Sequence, residues 1–297
     1  MPLQFRLNWL IETADAGKLL RDFAKEQDIS RTALTAIKFK GGKILVNDAE
    51  VNVRYRLQQG DRMEIVFPPE IKSEGVAGEE ISLDIVYEDE FVLVVNKPSD
   101  MNTIPSREHP VGSLANALIG YYEKKGIEAT AHIVTRLDRN TSGLVLIAKH
   151  RHVHHLFSRA QQKGSVKRVY EAFASGRVAV DRGMVEQPIG RKAESIIERE
   201  VREDGQYACT HFRVLTRTED YSHLELRLET GRTHQIRVHM SFIGYPLLGD
   251  ELYGGSTEKI KRQALHCKQL AFWHPFFNRQ MNFAISLPED MKRLTEY

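Results

Sequence analysis

The sequence predicts an α+β protein with a central mixed, largely antiparallel sheet, preceded by a small α/β unit. Short segments in which apolar and polar residues alternate recur through the chain, as in strands buried on one face. Most are joined by short turns, with helices between some of them, which favours antiparallel pairing. A break rich in Pro, Gly and Glu runs from Pro68 to Glu80. The expected division is a first unit at 1–70, a linker at 71–80, and a larger domain at 81–297, with relative motion across the break.

A chain of 297 residues can bury a large core and still carry a smaller unit. Its formal net charge is +2, so a polyanionic partner must be met by a local patch. Cys209 and Cys267 are the two cysteines, and no Cys-x-x-Cys occurs. That argues against a cysteine zinc site and suits a reducing cytoplasm. No stretch approaches the ~20 apolar residues of a membrane span. Neither Gly-x-Gly-x-x-Gly nor Gly-x-x-x-x-Gly-Lys occurs. The expectation is a monomer with no metal and no cofactor.

In the first unit, Leu19, Leu20, Phe23 and Ala24 recur at helical spacing. Ser30 can cap a second helix, Arg31 to Phe39, which Gly41-Gly42 ends. Strands follow at Lys43–Asn47 and Met63–Phe67 around a Gln59-Gly60-Asp61 turn. Arg31, Lys38, Lys40 and Lys43 gather around the second helix and its exit. Charge alone makes them a solvated face.

The larger domain opens with a strand alternating at Ile81, Leu83 and Ile85, then a strand from Phe91 to Val95 and Asn96-Lys97-Pro98. Ser113 can cap a helix reaching about Lys124. His132 to Asn140 is polar and ends in Thr141-Ser142-Gly143, which is turn chemistry. Leu144 to Ala148 is an apolar run that reads as a buried strand. Asp138, flanked by Arg136 and Arg139, therefore sits on a loop leading into a core strand, where catalytic groups are commonly held.

The run from His150 to His155 could suggest a metal. It lacks a nearby acidic or cysteine ligand, and His154 and His155 face different ways on a helix. A solvated or RNA-facing helix start is expected. Lys167 to Ala172 is a strand carrying Tyr170, and Ile196 to Glu203 an exposed hairpin or loop. Leu224, Leu226 and Leu228 alternate with charged residues. In Gly231-Arg232-Thr233-His234-Gln235-Ile236-Arg237-Val238-His239, Thr233 can cap a helix that Gly244 and Pro246 end. Ala264-Leu265-His266 and Phe272 to Pro275 precede a last strand at Met281, Phe283 and Ile285.

Arg136-Leu137-Asp138 with Thr141-Ser142-Gly143, Lys167 with Tyr170, and the Gly231–His239 segment occur in one order. Together they resemble the RluA-type pseudouridine synthases, with Asn96-Lys97-Pro98, Gly249-Asp250 and Tyr253-Gly254-Gly255 adding to the match. Thr135 stands where most relatives have His, and Asp100 where many have Gly. The first unit, from about Ala14 to Phe67, resembles the S4 RNA-binding domain. That resemblance gives Arg31, Lys38, Lys40 and Lys43 to RNA phosphates.

The family resemblance implies an isomerase that turns uridine into pseudouridine in structured RNA, most readily large-subunit (23S) ribosomal RNA. Transfer RNA, and a non-catalytic role in ribosome assembly, are the competing readings. It makes Asp138 the catalytic carboxylate. Two roles suit it: attack at C1′ or removal of the C2′ proton. Tyr170 would stack on the uracil and Leu265 pack against it. Arg136 would fill the space left by the flipped base. Arg237 would be the counter-ion of Asp138, at about 2.7–3.2 Å.

Overall fold

The computed structural model describes residues 4–70 and 75–296. The first part holds strands β1 (Arg6–Leu10), β2 (Lys43–Val46), β3 (Ala49–Glu50) and β4 (Arg62–Val66), with helices α1 (Leu20–Glu26) and α2 (Arg31–Phe39). Its sheet has the order β1-β4-β2-β3 and is antiparallel throughout. Ser30 caps α2 by accepting from Ala33 N at 3.1 Å, as the sequence predicts.

The second part begins with β5 (Ile85–Glu88) and β6 (Val92–Lys97), then α3 (Leu114–Lys125), β7 (His132–Ile133), β8 (Ser142–Ala148) and α4 (Arg151–Gln162). It continues through β9 (Lys167–Ser175), β10 (Arg182–Glu186), β11 (Ile189–Arg191), β12 (Arg199–Val201), β13 (Cys209–Arg217) and β14 (Tyr221–Leu228). After α5 (Gln235–Phe242) come β15 (Leu265–His274), β16 (Arg279–Ala284) and α6 (Glu289–Lys292). Ten strands form one sheet along β10-β13-β14-β9-β15-β8-β6-β5, with β16 on β15 and β7 on β8. Among the described residues only the β15–β8 pair is parallel, so the sheet is mixed and largely antiparallel, as expected.

Some boundaries differ from the sequence reading. The first strand of this sheet starts at Ile85, leaving Ile81 and Leu83 outside it, and β6 runs on to Lys97. Ser113 does cap α3, with Asn116 completing a capping box. The hairpin of β11 and β12 carries exposed Ile196 and Ile197 at its tip.

Every residue of β8 is buried, and this strand lies between β6 and β15. Its second residue, Gly143, has φ +119°, and a Cβ there would meet Cys267 O at 2.3 Å. A side chain would force β15 away from the strand that begins just after Asp138.

The break between the parts is packed. Residues 71–74 of the expected linker lie outside the described residues. Beyond them, Glu79 N donates to Asn116 O at 3.0 Å and Asn116 Nδ2 donates to Ala77 O at 2.9 Å. Phe5 stacks on His150 at 4.1 Å between ring centroids, and Phe67 lies against His150 and His152. Glu70 Oε2 meets His132 Nε2 at 2.6 Å, and Glu70 Oε1 accepts from Arg151 N at 2.6 Å.

The His150–His155 run is therefore only in part the solvated or RNA-facing helix start expected: Arg151 and His155 are exposed, but His150 and His152 are not. His150 is the N-cap of α4, accepting from His152 N at 3.1 Å, and both rings are buried. The expectation failed for these two because charge and helix periodicity carry no trace of the aromatic rings that arrive from Phe5 and Phe67. Burial pushes the pKa of His150 and of His152 down to about 4. Around them, Glu70 and Asp28 act to raise these values, and His132 and His155 to lower them.

A histidine depressed from an ordinary value near 6.5 stays neutral in the folded chain while the unfolded chain takes up a proton. Stability is thus lost as pH falls through 6.5 towards 4. At pH 5 each histidine should cost about 2 kcal/mol relative to neutral pH. Urea unfolding at pH 7.5 and pH 5 checks this. The acid loss should shrink by about that amount in His152→Gln.

Candidate active site

Asp138 stands on the loop between β7 and β8, beside a cleft. Tyr170 of β9, Leu265 of β15, Arg237 of α5 and Arg136 line the same cleft, so the structure brings together all five expected site residues. Arg31, Lys38, Lys40 and Lys43 are exposed on α2 and at the start of β2, apart from it.

Buried polar groups brace the loop on both sides of Asp138. Thr103 Oγ1 donates to Leu137 O at 2.6 Å and accepts from Leu137 N at 3.2 Å. Lys97 has no exposed surface, and its ammonium donates to the carbonyls of Pro98, Met101 and Arg139 at 2.8, 2.8 and 3.0 Å. Three acceptors match the three ammonium hydrogens. Burial pushes the Lys97 pKa down to about 7, and the Asp138 carboxylate works against that shift.

Both departures from the family pattern have a structural account. Thr135 is fully buried, and its hydroxyl accepts from Leu146 N at 2.9 Å, so it secures β8. Asp100 has φ +59°, the left-handed conformation that glycine adopts freely. Its carboxylate accepts from Arg139 Nε at 2.9 Å.

Arg237 reaches Asp138, with Nη1 donating to Oδ2 at 3.3 Å. The contact is longer than expected and made through one nitrogen. The guanidinium fork is occupied elsewhere: Nε and Nη2 donate to Asp250 Oδ2 and Oδ1, both at 2.7 Å. The Tyr253 ring lies against the guanidinium, 4.8 Å from its centre. Burial acts to lower the Arg237 pKa, but Asp250 and then Asp138 carry it above the ordinary value.

Asp250 was legible as part of a Gly-Asp pair but not as the principal partner of Arg237. Gly249 makes its placement possible. Its φ is +73°, and a Cβ there would meet Arg262 O at 1.9 Å.

The start of α5 corrects another expectation. Thr233 does not cap it; the N-cap is His234, with φ +57° and no side-chain cap bond. The turn is closed from within the helix, where Gln235 Oε1 accepts from Thr230 Oγ1 at 2.7 Å and Arg232 N at 3.0 Å. His234 Nδ1 instead meets Tyr253 OH at 2.8 Å.

On β9, Lys167 is exposed and the basic residue in the cleft is Arg168. Its Nη1 donates to Tyr170 OH at 2.9 Å. Residues two apart on a strand share a face and residues three apart do not, so strand period alone singles out Arg168. Burial raises the pKa of the Tyr170 hydroxyl, which is therefore neutral over the physiological range.

Residues 91–242 match the family described as RNA pseudouridylate synthase. The chain belongs to this family. It is 52% identical to the uncharacterized RNA pseudouridine synthase YjbO of Bacillus subtilis (strain 168), across 93% of this chain and 97% of that one. It is 40% identical to the Ribosomal large subunit pseudouridine synthase D of Vibrio parahaemolyticus, across 100% of this chain and 95% of that protein. The structure of Human RNA Pseudouridylate Synthase Domain Containing 1 shares its fold, with TM-score 0.59 at 24% identity over 70% of this chain and 85% of that one. The chain is an RNA pseudouridine synthase of the RluA type, an isomerase whose substrate is RNA.

Among the described residues of this synthase, no helix is long and apolar enough to cross a membrane.

In Asp250→Asn the buried Arg237 keeps its hydrogen-bond geometry in part but loses its charge partner. The variant should lose about 3 kcal/mol of stability, read as a lower urea midpoint. Single-turnover pseudouridine formation should slow as well, because the guanidinium is freed to swing onto Asp138.

Proposed function

We propose that Asp138 is the catalytic carboxylate, acting on a uridine flipped into this cleft from structured 23S ribosomal RNA. The observation that carries the first part is the state of the Asp138 carboxylate. Its Oδ2 accepts from Arg237, while Oδ1 has no protein partner among the described residues. Asp250, the other carboxylate on Arg237, is buried and has both oxygens occupied. Of these two carboxylates, Asp138 is the one with an oxygen to offer a ribose.

The isomerisation breaks the N1–C1′ bond, turns the uracil and joins C5 to C1′, with no change of oxidation state. The groups in the cleft suit those demands. The buried Tyr170 ring provides a stacking surface, with its hydroxyl tied to Arg168. Leu265 is buried beside it and excludes water from the base. Arg136, exposed at the cleft, is placed to take the space the uridine leaves in the RNA. Arg237 fixes one oxygen of Asp138 and so aims the other.

Large ribosomal RNA is the substrate best supported. The Vibrio relative that matches along the whole chain is a large ribosomal subunit enzyme by name. Residues 4–70 would be the unit that grips RNA, in the manner of an S4 domain. Arg31, Lys38, Lys40 and Lys43 have no carboxylate partner among the described residues, so their charges are available to phosphate. Phe39 adds an aromatic face that sequence reading passed over: it is 72% exposed, with Lys38 Nζ 5.0 Å from its ring centre. Such a ring can stack on an unpaired base.

Asp138→Asn should fold and bind RNA normally yet form pseudouridine at under ~1% of the wild-type rate. Turnover above that level at equal folded concentration removes Asp138 from the reaction. Lys38→Glu with Lys40→Glu should weaken binding to full-length 23S RNA and flatten its salt dependence. Mapping pseudouridines in a strain lacking the gene identifies the substrate. Loss confined to transfer RNA would overturn the ribosomal assignment and leave the role of Asp138 standing.

A further inference from the structure

We infer that Cys209, His211 and Glu229 form a binding site for a thiophilic divalent cation of the zinc class, at the root of the loop that lines the cleft. Cys209 and His211 are two apart on β13, so their side chains share a face of the sheet. Glu229 follows β14 and is locked alongside, with its N–H donating to Cys209 O at 3.2 Å. Cys209 Sγ lies 3.6 Å from His211 Nε2, which lies 2.7 Å from Glu229 Oε1. One ligand atom from each of the three falls within 4.8 Å of the others. Tetrahedral zinc, with bonds of about 2.0–2.3 Å, needs neighbouring ligands at about 3.3–3.7 Å. Small side-chain rotations therefore close the set around an ion.

A fourth position is close at hand. Glu186 of β10 is the register partner of Cys209, which puts its carboxylate on the same face. A row of carboxylate, thiol and carboxylate thus crosses three strands. Without a cation, His211 pairs with Glu229 and Tyr207 OH donates to Glu229 Oε2 at 3.3 Å. A dication offsets both carboxylates and takes the place of the thiol proton, which passes to solvent. One sulfur, one imidazole and carboxylate oxygens suit zinc better than magnesium or calcium. No Cys-x-x-Cys spacing announces the site, because the strand period brings Cys209 and His211 together and the third ligand comes from a neighbouring strand end.

The site would act on the cleft through the backbone. Cys209 O accepts from Gln235 Nε2 at 2.9 Å, and Tyr207 O accepts from Arg232 Nε at 3.0 Å. The strand end that carries the ligands is therefore also the anchor of the 230–235 turn. An ion would fasten β10, β13 and that turn together.

Cobalt(II) and zinc titrations of the full chain test this. The expected result is one Co²⁺ per chain with a thiolate-to-cobalt charge-transfer band. Zn²⁺ should displace it, with an affinity read by competition against a chromophoric chelator. Cys209→Ser should abolish the band, and His211→Ala and Glu229→Gln should each weaken Zn²⁺ binding at least tenfold. His211 and Glu229 lie at the surface, so those two variants report even if Cys209→Ser folds poorly. Zinc should also raise the melting temperature of the wild type and not that of His211→Ala. Absence of a thiolate band, its survival in Cys209→Ser, or wild-type affinity in both surface variants overturns the site.

Discussion

The Arg237 guanidinium meets two carboxylates and divides its hydrogen bonds unequally between them. Asp250 takes the planar fork at 2.7 Å on both arms, and Asp138 receives one longer contact at 3.3 Å. The inequality has a physical use. A buried cation needs a full partner, and an arginine whose partner was also the reacting group would be stranded whenever that group turned to substrate. With Asp250 in place, the charge of Arg237 is compensated whatever Asp138 does. In the role proposed for Asp138, one of its oxygens would be aimed without the other being locked. The rest of the cleft depends on this arrangement: Gly249 admits Asp250, Tyr253 backs the guanidinium, and α5 carries the arginine inward.

Much of this was legible in the amino-acid order, and the division between what was and what was not follows from range. Strands such as β14 announce themselves because alternation is local, and capping of α2 and α3 is decided within four residues. The cleft residues were legible only through resemblance, since Asp138, Tyr170, Arg237 and Leu265 come from four separate elements. What escaped were partnerships across the fold. Asp250 as the holder of Arg237 and Lys97 as a brace on the Arg139 carbonyl are set by groups meeting from separate segments, whereas Arg168 on the Tyr170 hydroxyl lies within one strand and was open to a reading by strand period. Thr233 misled for the opposite reason: its local signal as a cap was sound, and Gln235 met the same need from inside the helix.

The histidine run shows the same limit from another side. Composition places five polar or basic letters on a helix start, and tertiary packing buries two of them against Phe5 and Phe67. One hydrophobic core runs through both sheets. In the RNA-binding role proposed for the first unit, two units joined in this way would present RNA with cations and a reaction cleft at a set separation, in place of two grips on a loose cord. Such a frame would measure distance along a structured RNA as well as bind it.

The position of β15 carries a consequence for how the enzyme comes into being. This strand enters the sheet between β9 and β8, although it follows both in the chain, and its pairing with β8 is parallel. Until it arrives, β8 and β9 are edges without their partner, and the loop bearing Asp138 opens onto an unfinished sheet. Contacts of that sequence separation form late, after loop-closure entropy has been met. On a translating ribosome the middle of this sheet must wait until Leu265–His274 has been made. An enzyme assembled in that order gains its cleft only once β15 has been made, and a chain cut short before Leu265 would carry every motif letter of the Asp138 loop with no wall to face it.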